Sequence, residues 1–234
     1  MQWIEHARQR LAVRRRRTNA WGALLDRQDI LVAALALQKN GAARVMVFER
    51  QQAPEGLVDV SARDDWLVQT LRGLGSHLPA PLRTMALALD DGRCRQGLLA
   101  HGGQLDAQQL QAEVQLEAAA AWGVAPDEVG FDFHAEANAV RWAACLREDL
   151  QQWRGHARSA GWQLPVVEPS EQAAQRAALH LRGDSRGHWA DSAQDWQFSP
   201  APERALADVD WPQLQAGPLW SPLVACGAAL GVLL

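Results

Sequence analysis

The stretch LDAQQLQAEVQLEAAAAWGVAPDEVGFDFH, Leu105 to His134, decides the fold class. Asp106 stands where an N-cap belongs, and Gln109 three residues on completes a capping box. Leu105 and Leu110 hold the two positions of a hydrophobic staple, which fixes how the chain enters the helix. Leu110, Val114 and Ala121 recur on one helical face, Glu113 and Glu117 stay off it, and Gly123 and Pro126 end the pattern. Val129, Phe131 and Phe133 then alternate with Gly130, Asp132 and His134, the period of a strand with one buried face. The stretch predicts a helix packed on a sheet, and so an α/β architecture.

The rest of the chain can support that architecture. With 234 residues, 48% hydrophobic and 21% charged, it buries a real core as one large or two small domains. A formal net charge of -4 gives the whole protein no electrostatic reason to bind nucleic acid. Positive charge is nevertheless concentrated at the start, where Arg8, Arg10, Arg14, Arg15, Arg16 and Arg17 face Glu5 alone. Two readings of 1–17 stay open. One is an amphipathic helix whose arginines attach it to an anionic membrane surface; the other is a solvated basic terminus or a helix docked on its own protein. Cys94, Cys145 and Cys226 are far apart with no C-x-x-C, which indicates neither a disulfide framework nor a zinc site and suits a reducing cytoplasm. Leu223 to Leu234 is the longest apolar run apart from its glycines, short of the roughly 20 residues a membrane span needs. Polar residues follow the arginines, so no signal-peptide core is read there.

Taken in order, WGALLDRQDILVAALAL and ARVMVFER flank Asn40-Gly41 and read as a tight hairpin. Asp64 to Leu74 reads as a helix with Trp66, Leu67, Leu71 and Leu74 inward. Thr84 to Leu89 reads as a buried strand paired with Cys94 to Ala100 across Asp91-Gly92. Val140 to Leu146 is a strand, Arg147 to Ala160 a helix, and QLPVVEPSEQAAQRAALHL a strand that breaks at Pro169 into a helix from Ser170. Gly183 to Gln197 is polar and reads as a loop or linker.

The helix and strand of 105–134 resemble the small inserted subdomain of PilM, the actin-like protein of type IV pilus assembly. There an L-x-x-x-x-L-x-x-x-V-x-L-E-A helix precedes a Pro-containing turn and a strand of the type E-V-x-x-D-F. The flanking order is similar, down to Arg176-Ala177 at the end of the A-x-A-x-R-A helix and the closing A-x-G-x-A-L segment. The resemblance implies a partial actin-like (ribonuclease H-like) lobe with an inserted small α+β subdomain, the second actin-like lobe being largely missing. Its boundaries would be a basic segment 1–17, a first lobe part 18–80, an insert 81–160, a second lobe part 161–182, a linker 183–210 and a C-terminal helix 211–234 packed on the lobe.

What the resemblance implies about function is a non-catalytic cytoplasmic scaffold at the bacterial inner membrane, holding the N-terminal tail of a PilN-like membrane protein. An extended peptide would lie in a cleft between lobe and insert, with Trp122, Phe131 and Phe133 as wall residues. Trp122 and Trp142 are open to either core packing or groove lining. In the PilM hairpin G-I-D-I-G-S-S-S an Asp and small hydroxyls handle metal-bound phosphates. Here Gly22 is retained, Leu24 stands at the Asp position, and Asp26, Arg27 and Gln28 replace the Gly-Ser-Ser turn. Leucine cannot orient a metal-bound water and a turn carboxylate repels phosphate, so no cofactor is expected and ATP is disfavoured. The alternatives are a nucleotide-binding actin-like ATPase or sugar-kinase relative, and a component of type II secretion or of competence, as in the HofM-like proteins. No metal-ligand pair of histidines, P-loop, G-x-S-x-G or G-x-G-x-x-G occurs, and the acidic pairs Asp64-Asp65, Asp90-Asp91, Asp127-Glu128 and Glu148-Asp149 sit at turns and helix starts, where capping explains them.

Overall fold

A computed structural model describes residues 18–25, 29–57, 59–100, 106–136, 138–183 and 193–234. The basic segment with Arg14 to Arg17, the turn residues Asp26, Arg27 and Gln28, and the staple residue Leu105 lie outside the described residues. The chain divides into a larger unit, Arg17–Asp90 with Arg154–Leu234, and a smaller one that holds Asp91–Trp153.

The larger unit is built on six strands in the order β8-β4-β1-β2-β3-β9. These are β1 (Asn19–Leu25), β2 (Asp29–Leu37), β3 (Ala43–Gln52), β4 (Thr84–Leu89), β8 (Gln163–Pro169) and β9 (Gln197–Phe198). β1, β2 and β3 run antiparallel in sequence, whereas β4 is parallel to both β1 and β8. The tight hairpin read from the sequence is therefore a three-stranded meander, because WGALLDRQDILVAALAL folds back on itself as β1 and β2. The β2–β3 loop turns at Gly41, whose φ of 83° suits glycine, and Asn40 Oδ1 accepts from the Ala42 amide at 3.0 Å. β1, β2 and β4 are apolar along nearly their whole length because helices cover both faces.

Four helices carry that cover: α1 (Val60–Gly75), the last turns of α3 (Arg147–Ser159), α4 (Ser170–His180) and α6 (Trp220–Leu233), with short α5 (Trp211–Ala216) before α6. On one face Leu24, Leu31, Leu35, Ala86 and Ala88 join Ala173, Ala174 and Ala177 of α4 and Leu223 to Leu230 of α6 in one core. α6 can lie this close because two glycines give way. A Cβ on Gly22 would meet the Ala229 nitrogen at 2.2 Å, and one on Gly227 would meet the Ala173 carbonyl oxygen at 1.7 Å. Behind this contact Arg176 makes a bidentate pair with buried Glu168 at 2.7 and 2.6 Å and donates to the Gly227 carbonyl at 2.8 Å. Burial opposes the Arg176 charge, but the Glu168 hydrogen bonds and charge outweigh it, so the guanidinium is held above its ordinary range.

On the opposite face the Trp21 ring meets Trp162 edge-to-face at 5.3 Å, and Trp162 Nε1 donates to the Leu71 carbonyl of α1 at 2.7 Å. Asp59 caps α1 by accepting from the Ala62 amide at 3.2 Å. α1 and α3 are tied together by His156 with Asp64 at 3.3 Å and by Arg72 donating to the Ser159 carbonyl at 3.1 Å.

The smaller unit is a three-stranded antiparallel sheet, β5 (Arg95–Ala100), β7 (Ala139–Leu146) and β6 (Val129–Ala135), covered on one face by α2 (Ala107–Trp122). Its helix has the capping box expected of it: Asp106 accepts from the Gln108 and Gln109 amides at 2.8 Å, and Gln109 Oε1 accepts from the Asp106 amide at 3.1 Å. Gly123 closes it in the left-handed region at φ 69°. Arg147 donates to the Asp127 and Val129 carbonyls at 2.8 and 3.1 Å and so pins the turn before β6.

Three sequence expectations are corrected. Thr84 to Leu89 does not open the insert of 81–160 or pair with Cys94 to Ala100. It sits inside the six-stranded sheet between β1 and β8, and Arg95 to Ala100 pairs with β7 instead. An all-apolar strand needs both faces covered, which the larger sheet offers. The stretch 183–210 is also more than a linker: Trp196 and Phe198 are fully buried, β9 pairs with Ala43 and Arg44, and Glu203 receives the Gly183 amide at 3.1 Å. Two large aromatics outweigh a polar setting. Residues 184–192 lie outside the described residues.

Candidate functional site

The larger unit carries a groove of about 500 Å3 lined by Trp21, Val47, Glu49, Gln51, Thr70, Gly73, Leu74, His77 and Leu78. Its origin is a β-bulge. Leu35 stands opposite Val45 but Ala34 stands opposite Val47, so Met46 is extra and the side-chain alternation of β3 flips there. Before the bulge Ala43 and Val45 face the α6 core; after it Phe48 takes over that role, and Val47, Glu49 and Gln51 turn to the other face. α1 lines one side of that face with Thr70, Gly73 and Leu74 and leaves the β3 end uncovered.

The same strand offers backbone as well as side chains. β9 pairs with Ala43 and Arg44, and the Val45 amide reaches the Trp196 carbonyl at 3.3 Å. From Met46 to Gln52 the outer edge of β3 has no strand partner among the described residues. A strand edge without a strand partner, beside a groove, is what an extended peptide needs. On the far side of the sheet, edge strand β8 carries Pro165 and Pro169, residues that blunt an edge. The groove offers one carboxylate, Glu49, with Gln51 Nε2 at 3.5 Å from it, and the neutral hydroxyl of Thr70.

The expected phosphate-loop positions have other neighbours. Gly22 lies against the α6 backbone, and Leu24 is 5% exposed in the core that α6 seals. Asp26 lies outside the described residues. The structure does bring Trp122, Phe131 and Phe133 together within the smaller unit. The two phenyl rings stack at 6.4 Å, the Trp122 Nε1 donates to the Ala144 carbonyl at 3.3 Å, and the Arg95 guanidinium lies 4.7 Å from the Trp122 ring centre. All three are half-buried against Leu110, Val114, Val129 and Trp142. Trp142 is sealed in that core, its ring filling the place of the side chain Gly97 lacks.

Sequence reasoning missed the groove, because period-2 alternation puts Val47 and Glu49 on the wrong face unless the bulge is known. It also missed that Cys94 and Cys145 meet, with sulfurs 3.2 Å apart. Among the described residues no group of three or more His, Cys, Asp or Glu is placed to hold a metal ion, and no helix is long and apolar enough to cross a membrane.

No family model and no curated protein matches this sequence. Solved structures do match. A PilM-PilN type IV pilus biogenesis complex aligns over 71% of this chain and 54% of that one, with a TM-score of 0.55 at 17% identity. The cytoplasmic domain of EpsL, an inner-membrane component of the type II secretion system of Vibrio cholerae, aligns over 66% and 58%, with a TM-score of 0.50 at 12% identity. The chain spans a little over half the length of each. At such identities the likeness is one of fold, and the fold is α/β, a partial actin-like lobe.

Proposed function

We propose that this chain is a non-catalytic, cytoplasmic scaffold peripheral to the inner membrane, in a type IV pilus or related secretion or DNA-uptake machine. Its partner is an extended N-terminal tail of a PilN-like membrane protein. The observation that carries the reading is the outer edge of β3 from Met46 to Gln52, without a strand partner among the described residues and beside the groove, on a fold similar to a PilM seen with PilN. The tail adds as a strand there, with apolar side chains over Trp21 and Val47 and a basic side chain near Glu49. Burial of Leu24, and the α6 backbone against Gly22, support a role without a nucleotide. Trp122, Phe131 and Phe133 are proposed as a subsidiary partner contact, since their rings are half-buried and not sealed.

Fluorescently labelled synthetic tails of PilN-like proteins, titrated into the full chain, test this. Saturable micromolar binding is expected, weakened by Glu49→Lys; no binding at high micromolar concentration removes the assignment. Labelled ATP with magnesium provides the opposing test. Micromolar, metal-dependent binding would overturn the non-catalytic reading in favour of an actin-like ATPase.

A further inference from the structure

The smaller unit brings two thiols into contact across neighbouring strands. Arg95 is paired with Ala144, so the residues one step outward, Cys94 and Cys145, stand opposite each other. Their sulfurs are 3.2 Å apart, both side chains are buried, and neither is in a disulfide. A disulfide needs about 2.05 Å between sulfurs, so closure takes an approach of roughly 1 Å, within reach of small side-chain rotations. Their neighbours hold them in this register. Arg93 lies 5.4 Å from the Trp153 ring centre, Arg95 lies over Trp122, and Leu150 covers Gly130, the residue paired with Cys145.

We propose that Cys94 and Cys145 form a redox-modification site, which a low-molecular-weight disulfide converts into an intramolecular cross-strand bridge joining β5 to β7. One thiolate attacks the reagent disulfide, forming a mixed disulfide and releasing one reagent thiol. The second protein thiol, losing its proton, then attacks the protein sulfur and releases the other reagent thiol. Two protein thiols are oxidised to one disulfide, and one reagent disulfide is reduced to two thiols. Access comes through Cys94, which follows the turn at Asp91–Arg93 and leads into a strand that, among the described residues, pairs with β7 alone, so this end opens locally more readily than the centre of the sheet. The bridge would close a loop across 51 positions that includes α2 and β6, a long loop whose closure strongly restricts the unfolded chain. Cys226 provides the internal control. It is fully buried in the α6 core, where burial pushes its thiol well above the ordinary range and keeps it inert.

The test uses the full chain equilibrated with an equimolar mixture of reduced and oxidised glutathione, then alkylated, digested and mapped by mass. A linked peptide joining Cys94 to Cys145, the loss of two hydrogens per chain, and alkylation of Cys226 only after denaturation are expected. The oxidised protein should melt roughly 5–15 °C higher. Cys226→Ala should leave the bridge intact, whereas Cys145→Ser should leave at most a glutathione adduct on Cys94. Recovery of Cys94 and Cys145 as two free thiols or as two separate glutathione adducts overturns the proposal, as does a bridge found only between chains.

Discussion

The two faces of the six-stranded sheet are closed by different means. On the α6 face the closure is nearly backbone on backbone, with Gly22 and Gly227 leaving no room for even a methyl group. On the α1 face the closure is by large rings, Trp21 against Trp162, and it stops short of β3. Small residues allow an apolar helix to cover a sheet without gaps, and a face sealed in this way has nothing left to offer a ligand. Where the covering layer is built of large side chains and a bulge re-aims the last strand, a groove remains. The first face holds the structure together, and the second is the surface proposed above to meet a partner.

The sealed face should break first and hardest. Gly227→Leu drives a side chain into the Ala173 carbonyl, which neither helix can yield without separating. We expect destabilisation of more than about 4 kcal/mol, read by urea unfolding, or a chain that does not fold at all. Arg176→Met comes next. It leaves Glu168 buried without its cation and the Gly227 carbonyl without its donor, at a cost of about 3–5 kcal/mol. Adding Glu168→Leu should recover most of that loss, because an apolar pair replaces an orphaned charge. If the double variant is no better than the single one, the loss comes from the Gly227 carbonyl and from packing, not from an orphaned Glu168 charge.

How far the sequence revealed this molecule depends on how local each feature is. The capping box at Asp106 and Gln109, the glycine stop at Gly123 and the alternation of Val129, Phe131 and Phe133 are local, and they appear in the structure as read. Partner choice is not local. Nothing in TMALAL says whether its neighbour is the next strand or one 64 residues earlier, so the sequence alone does not place β4 in its sheet. Trp196 and Phe198 were hidden by the polar residues around them, although two large aromatics two apart are themselves a signal of a short buried strand. The bulge at Met46 leaves no mark in composition, and the groove depends on it. The meeting of Cys94 and Cys145 follows from strand register and could be found only once β5 had been paired with β7.

The open face should respond in the opposite way. Thr70 lines the groove from α1 and is half-buried, so Thr70→Arg can swing its guanidinium toward solvent while its stem fills the groove. Arginine has the higher helix propensity, and the fold should lose less than about 0.5 kcal/mol or gain slightly. Peptide binding should nevertheless weaken at least tenfold, because the stem occupies apolar space and the charge stands close to a carboxylate the tail would use. The Thr70→Ala variant separates these causes: it widens the groove and should leave binding within about threefold. A Thr70→Arg protein that folds normally and binds the tail undiminished would mean that the uncovered end of β3 is merely the place where the sheet runs out of helices.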